Sequence, residues 1–338
     1  MRLCFVTGAT RAFFPTLTVL LQSFTERIGG ARLHVCDYGL GDGQREFLRR
    51  RGLLLDRPPA LPLAMHPLRE KAALMAFLRH AGVDPGSFDA VIWLDADLTL
   101  TTCSLADFEA LAGAMIAGDV DIAASPQGTF AELLGSLRRL NSKTAPIERL
   151  LAEHAVDSAR AYYSSGIFVC RARGFLEDWL ELTMSVEDHA VLDQNVFNVL
   201  IQRTGKRVLE LDIDIWQAQG ETLDRLRVER GGAGDGPSVF LDERVVKILH
   251  ATSPTTRHLF VGIASFCVSD LVLDGAFKLL RPRPLMGLQL ELLARFMTAH
   301  RAELLALGLC RPAGTPVQGY EFRTMPETRR MPSPNPAP

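Results

Sequence analysis

Seven residues constrain the fold more than any others in the chain. Val91-Ile92-Trp93-Leu94 is a short apolar run, β-branched at its start, that leads straight into Asp95-Ala96-Asp97. Such a run predicts a fully buried strand. Open α/β sheets bind ligands beyond the carboxyl ends of their strands. Two carboxylates leaving a buried strand on one turn can therefore face one cation. Hard cations such as Mn²⁺ and Mg²⁺ take oxygen ligands and often hold substrate phosphates as well. Acids at i and i+2 also occur as plain surface decoration, and it is the buried strand in front that favours the metal.

Composition narrows the class. The 338 residues are 47% apolar and 22% charged, enough for one large core or one core with a helical appendage. A net charge of -2 predicts no nucleic-acid footprint. Cys4, Cys36, Cys103, Cys170, Cys267 and Cys310 are scattered, and no pair has the C-x₂₋₄-C spacing of a zinc site. That usage fits a reducing cytosol and predicts a cytoplasmic protein without disulfides. The N-terminus lacks the apolar core of a signal peptide, and no run of 18 apolar residues predicts a membrane span. Contact with the inner membrane surface stays open.

Strand and helix signals alternate, the rhythm of an α/β fold. Leu3 to Val6 predicts a strand, Thr7-Gly8-Ala9-Thr10 a small-residue loop and Phe14 to Glu26 a helix with Pro15 in its first turn. That unit is either a nucleotide cradle or an ordinary βα turn. It carries neither G-x-G-x-x-G nor G-x-x-x-x-G-K-[ST], which argues against a dinucleotide cofactor and a P-loop. Leu33 to Cys36 predicts the next strand, with Asp37 and Tyr38 at its end, and Pro67 to His80 a helix holding Lys71. Val120 to Ala124 is a further strand. Arg138, Arg139 and Lys143 lie in a less regular charged segment, a solvated face or an aid to an anionic acceptor. Ser164, Ser165 and Gly166 open an apolar strand, and the glycine permits close approach to a ligand. Asp193 and Gln194 begin an apolar-faced helix, where a carboxylate is also a common helix-start charge.

Asp212 and Asp214 form a second D-x-D, but they interrupt an edge-like strand, and no metal is assigned there. Arg230 to Pro237 is a loop by composition. Val245 to Leu249 is a second apolar strand that delivers His250 at its end. A lone histidine is more often structural, yet an imidazole beside two carboxylates suits Mn²⁺. Leu271 to Leu280 and Leu285 to Leu307 predict helices, for internal packing, a homodimer contact or, with basic residues near the start, a membrane surface. Phe322 to Pro338 predicts a loose tail.

Trp93-Leu94-Asp95-Ala96-Asp97 resembles the metal-binding D-x-D of GT-A-fold glycosyltransferases that use nucleotide sugars. The order of strand, D-x-D, small-Gly strand, Asp-Gln and late histidine extends the resemblance over residues 2 to 262. It implies an α/β fold, a GT-A (Rossmann-like) mixed central sheet flanked by helices with a C-terminal helical extension. The implied divisions are a catalytic domain over 1–265, the extension over 266–322 and the tail over 323–338. Asp95, Asp97 and His250 are the implied ligands of Mn²⁺ or Mg²⁺. Thr7, Gly8 and Ala9 would lie against the nucleoside. Asp37 would accept from ribose or base and Tyr38 stack on uracil, the alternative for both being a capped turn. Lys71 would neutralise phosphate or orient the sugar, rather than remain a solvated helix charge. Ser165 and Gly166 would border the donor sugar, with Asp193 and Gln194 on the acceptor side. The Lys-Pro-Trp that often follows the late histidine is absent; Arg257 stands in that region as its replacement.

The nearest resemblance is to the retaining, family-8-like group. It implies hexose transfer from a UDP-sugar, or another nucleotide diphosphate sugar, to a hydroxyl on a saccharide, lipid or protein. In a retaining enzyme the donor phosphate can take the acceptor proton. In an inverting one Asp193 would be the base. The rivals are a nucleotidyltransferase acting on a sugar phosphate and a non-catalytic nucleotide-sugar-binding protein.

Overall fold

The computed structural model describes residues 1–62, 65–230, 237–252 and 256–324. Strands β1 (Leu3–Ala9), β2 (Leu33–Asp37), β3 (Leu54–Leu55) and β4 (Ala90–Leu94) are parallel neighbours. The short β5 (Leu98–Leu100) follows the acidic pair, and β6 (Ile122–Thr129), β7 (Ala161–Cys170) and β8 (Val208–Glu210) come next. Seven of these make one sheet in the order β3-β2-β1-β4-β7-β6-β8. The long β7 runs antiparallel between β4 and β6, which makes the sheet mixed.

The uninterrupted apolar run of β4 has a simple cause. Ile92 and Leu94 point into one core, against Leu17, Leu20 and Phe24 of the helix Phe14–Ile28. Val91 and Trp93 point into the other, with Phe77, Trp179 and Phe197 from the helices Leu74–His80, Arg173–Ser185 and Leu192–Arg203. A strand covered on both faces cannot alternate with polar residues. The result is a central mixed sheet flanked by helices, the Rossmann-like arrangement expected of a GT-A chain.

The later part departs from the expected pattern. Strands β9 (Leu226–Glu229), β10 (Ser238–Leu241) and β11 (Arg244–Val246) form a small antiparallel sheet. Strand β12 (Ile248–His250) pairs antiparallel with β5, outside the main sheet. Strands β13 (Leu259–Leu280) and β14 (Arg311–Thr324) form a long ribbon. The helix expected over Leu271–Leu280 is thus the second half of β13. An apolar run of that length has no period that separates helix from strand, and its partner around Arg311 lies far along the chain. The helix expected over Leu285–Leu307 is real but divided, into Arg283–Ala299 and Arg301–Ala306. Its Leu288, Leu292, Phe296 and Leu304 are buried in the same core as the helix Phe14–Ile28. β13 crosses position 265, and its Ala264, Phe266 and Leu273 belong to that core too.

Of the loop expected over Arg230–Pro237, residues 231–236 lie outside the described residues, as do 325–338 of the expected tail. All six cysteines are buried and free. Among the described residues no helix is long and apolar enough to cross a membrane.

Candidate metal centre

The carboxyl end of β4 opens into a cleft of about 2690 Å³. The chain leaves β4 in a turn closed by Leu98 N–H donating to the Asp95 carbonyl at 3.1 Å, so both acids of the D-x-D sit at one corner. β5 then returns beside β12, pairing Leu98 with His250. His250 therefore reaches Asp97 across this small antiparallel pair, rather than from a neighbouring strand of the main sheet. The three ligand atoms of Asp95, Asp97 and His250 lie within 4.8 Å of one another. His250 Nε2 is 3.1 Å from Asp97 Oδ1 and 3.8 Å from Asp95 Oδ2. Two carboxylates and an imidazole at one corner are a donor set that fits a divalent cation such as Mn²⁺.

Asp95 is half-buried and is held by its neighbours. Trp93 Nε1 donates to Oδ1 at 2.6 Å, and Lys71 Nζ lies 2.9 Å from the same oxygen. Asp97 is 7% exposed. Burial alone would raise its pKa, but the His250 ring and the Lys278 ammonium more than offset this and hold it well below the usual carboxylate range. Lys278 Nζ lies 2.5 Å from Asp97 Oδ2. It arrives on β13, whose backbone is fixed there by Lys278 N–H donating to Thr16 Oγ1 at 3.0 Å.

A second cluster adjoins the first. Lys71 is buried in the helix Pro67–Ala72 and bridges Asp95 and Asp193, at 2.9 and 3.2 Å. Burial would lower its pKa; the two carboxylates reverse this and the net shift is upward. Ser165 Oγ accepts from Lys71 Nζ at 3.0 Å and donates to Asp193 Oδ2 at 2.9 Å. Gln194 Oε1 accepts from Ser165 N–H at 3.0 Å, while its amide donates to Gln127 Oε1 at 3.0 Å. Trp179 Nε1 donates to the Asp193 carbonyl at 2.9 Å, which pins the start of the helix Leu192–Arg203. Lys71, Ser165, Asp193 and Gln194 are thus brought together beside the acidic corner.

Other expected residues stand differently. Thr7, Gly8 and Ala9 belong to β1 itself, because the strand runs three residues further than its apolar core implies. Tyr38 lies over Gly8, where an added Cβ would meet the ring at 2.3 Å, and it packs edge-on to Phe77. Asp37 Oδ1 accepts from Gly39 and Leu40 N–H at 2.9 and 2.7 Å. Arg138 pairs with Glu148, and Arg139 donates to Ser136. Arg257 is exposed and pairs with Asp224 at 3.2 Å, and it does not line the cleft. Besides Lys71 at Asp95, Lys278 reaches the acidic corner, at Asp97. Its only signal in the sequence is one charge inside Ala276-Phe277-Lys278-Leu279-Leu280. Asp212 caps a four-residue helix, Ile213–Trp216, and pairs with Arg244, while Asp214 accepts from Thr222.

Gly166 is glycine for a reason the sequence does not disclose. An added Cβ would meet His250 Cε1 at 2.5 Å and Gln217 Nε2 at 2.9 Å. The backbone there makes room for the histidine and its neighbour, while Ser164 Oγ accepts from Gly166 N–H and from Gln217 Nε2.

No family model matches the chain, and no curated protein matches it. Solved structures do resemble it. The bifunctional glycosyltransferase WbbM, in its apo form, matches with a TM-score of 0.42 at 12% identity over 64% of this chain. This chain spans 39% of the WbbM chain. The galactosyltransferase LgtC, in complex with donor and acceptor sugar analogues, gives a TM-score of 0.44 at 17% identity, covering 74% of this chain and 86% of that one. Mouse xyloside xylosyltransferase 1, apo form, gives 0.42 at 15% identity, covering 74% and 97%.

Proposed function

We propose that this chain is a metal-dependent glycosyltransferase that moves a hexose from a nucleotide diphosphate sugar, with UDP as the nucleotide, to a hydroxyl acceptor. The observation that carries the reading is the convergence of Asp95, Asp97 and His250 at the carboxyl end of β4, with Lys71 and Lys278 on either side. A Mn²⁺ or Mg²⁺ ion held by these three residues supplies charge neutralisation for the departing diphosphate. The residues around it have distinct work. Lys278, paired with Asp97 across 2.5 Å, would exchange that partner for a phosphate oxygen once a cation takes Asp97, the part first assigned to Arg257. Lys71 orients Asp95 and Asp193 at once. Ser165 and Gln194 present a hydroxyl and an amide to the donor sugar and the acceptor.

The surroundings of Asp193 favour retention over inversion. Its Oδ2 is engaged by both Lys71 and Ser165, and the residue is 3% exposed. A carboxylate oxygen already occupied by an ammonium and a hydroxyl, and almost closed to solvent, is badly placed to reach an acceptor hydroxyl. The acceptor proton then goes to the donor phosphate, on the face the sugar leaves.

The test is a panel of UDP- and GDP-sugars incubated with Mn²⁺, scored for transfer or slow hydrolysis, with Asp97→Asn in parallel. Metal-dependent turnover of at least one donor that is lost in Asp97→Asn supports the reading. Failure of every donor to bind or turn over in metal-replete, folded protein refutes it.

A further inference from the structure

We propose that Gln217 is a positioning residue that selects which nitrogen of His250 is free to meet a cation. The inference rests on the metal reading above and extends it to a residue outside the ligand set. Gln217 is fully buried, directly after the short helix Ile213–Trp216. Two backbone hydrogen bonds lock it beside the histidine: Ala218 N–H donates to the Ile248 carbonyl and His250 N–H to the Ala218 carbonyl, each at 3.0 Å. Gln217 Nε2 lies 2.7 Å from His250 Nδ1 and 2.7 Å from Ser164 Oγ. Its Oε1 is buried and has no hydrogen-bond partner.

With the amide in this orientation the proton assignment of the ring follows. A Gln217 N–H donating to Nδ1 would leave the lone pair on Nδ1 and the hydrogen on Nε2, which faces Asp97 Oδ1 across 3.1 Å. This is the wrong tautomer for a metal at Nε2, because a coordinating nitrogen needs its lone pair. Coordination requires the hydrogen on Nδ1, and a hydrogen there requires an acceptor.

Rotation of the Gln217 amide by a half-turn supplies one. Oε1 then faces Nδ1–H and Ser164 together. Ser164 Oγ already accepts from Gly166 N–H at 3.1 Å, so its own hydrogen is free to turn toward Oε1. Gly166 N–H then donates to Ser164 Oγ, Ser164 Oγ–H to Gln217 Oε1, and His250 Nδ1–H to the same oxygen, while the amide N–H₂ takes the buried position where Oε1 has no partner, a cost that metal binding at Nε2 has to offset. A buried polar side chain able to satisfy the ring in either orientation has a use that a plain packing residue lacks. The absence of a side chain at Gly166 leaves the space in which both groups sit.

The test uses the full chain and the metal alone. Mn²⁺ affinity is measured without nucleotide for wild type, Gln217→Met and Gln217→Glu. Gln217→Met keeps the volume but offers no acceptor, and should weaken Mn²⁺ by about 10- to 100-fold, the usual cost of losing such a partner. Gln217→Glu accepts from Nδ1–H and should restore binding to within a few-fold of wild type. A merely structural role would not give that rescue. ¹⁵N spectra of histidine-labelled protein supply the second readout, with Zn²⁺ as the diamagnetic probe. The His250 hydrogen should sit on Nε2 in metal-free wild type and on Nδ1 once Zn²⁺ is bound. Mn²⁺ bound as tightly by folded Gln217→Met as by wild type overturns the proposal and leaves the metal site standing. A His250 signal that keeps Nε2–H at saturating Zn²⁺ does the same. Wild type that takes up no Mn²⁺ overturns the metal reading itself, and this inference with it.

Discussion

Lys278→Met should make the protein bind metal better and nucleotide worse. The lysine ammonium sits 2.5 Å from Asp97 Oδ2, and only 22% of its side chain and 8% of the aspartate's are exposed. A cation arriving at Asp97 has to displace or repel this internal positive charge. At an effective dielectric of about 20, unit charges about 4 Å apart interact by about 4 kcal/mol before solvation is counted. The displaced ammonium recovers part of that from water and from other acceptors. A net of about 1.5–3 kcal/mol, typical of hydrogen bonds to charged groups, is the realistic scale. That corresponds to roughly 10- to 150-fold tighter Mn²⁺ in the variant, by the relation of about 1.4 kcal/mol per tenfold. With donor present the sign reverses, because the diphosphate loses its lysine and should bind more weakly by a similar factor. Electron paramagnetic resonance counts free Mn²⁺ without nucleotide, and calorimetry follows UDP at saturating Mn²⁺. Mn²⁺ affinity equal to or weaker than wild type, in a variant with unchanged circular dichroism, would refute the competition between Lys278 and metal. Unchanged UDP affinity would refute the phosphate role.

Further outcomes are expected at neighbouring positions. Asp97→Asn should weaken Mn²⁺ strongly and His250→Ala less so, since water can fill a ligand position that a lost charge cannot; equilibrium dialysis ranks them, and the reverse order would be inconsistent with carboxylate-dominated binding. Gly166→Ala should leave the fold intact but push His250 and Gln217 away from a Cβ that falls 2.5 Å from the ring, and loss of Mn²⁺ binding without loss of Tm is the signature. Burial holds the His34 pKa down to about 4, below its ordinary 6.5. The unfolded chain therefore takes up this proton first, so stability is full above pH 6.5 and falls as pH drops toward about 4, by about 3 kcal/mol at most. Denaturant melts across that window should show a shallower slope in a folded His34→Leu variant. Thiol titration in denaturant, on protein kept from air, should find all six cysteines free.

The legible part of this molecule was the part held in short sequence words. β4 and its two acids were readable because a strand covered on both faces writes itself as an unbroken apolar run. His250 was readable for the same reason, although β12 pairs with β5 rather than joining the main sheet. Lys71, Ser165 and Asp193 converge, yet what joins them is a hydrogen-bonded cluster in which Lys71 and Ser165 are 94 positions apart, which no local pattern encodes. Asp37 and Tyr38 stay ambiguous in sequence because a turn whose aspartate accepts from its own backbone, as Asp37 does from Gly39 and Leu40, is spelled like one that offers its side chains to a ligand. Lys278 was hidden by the wrong element: as part of a helix it had no address, and only the extended course of β13, tied by the Lys278 N–H to Thr16 Oγ1, sets it down at Asp97. Gln217 left no trace, since its value depends on the nitrogen it faces.

The ribbon that carries Lys278 also sets a timetable. Asp97 and Lys278 are 181 positions apart, so at about 5–20 residues per second a ribosome makes the acid roughly 10 to 35 s before its cation. During that interval the sheet around β4 can form with its two acids but lacks the ammonium that pairs with Asp97. At that stage Lys71 can already serve Asp95, but Asp97 is without its ammonium and the last ribbon is incomplete. A chain that stalls, or is clipped within β13, stays in this condition permanently. Activity and full stability should therefore arrive together and late, and a fragment ending before residue 278 should lack the ion pair that holds Asp97.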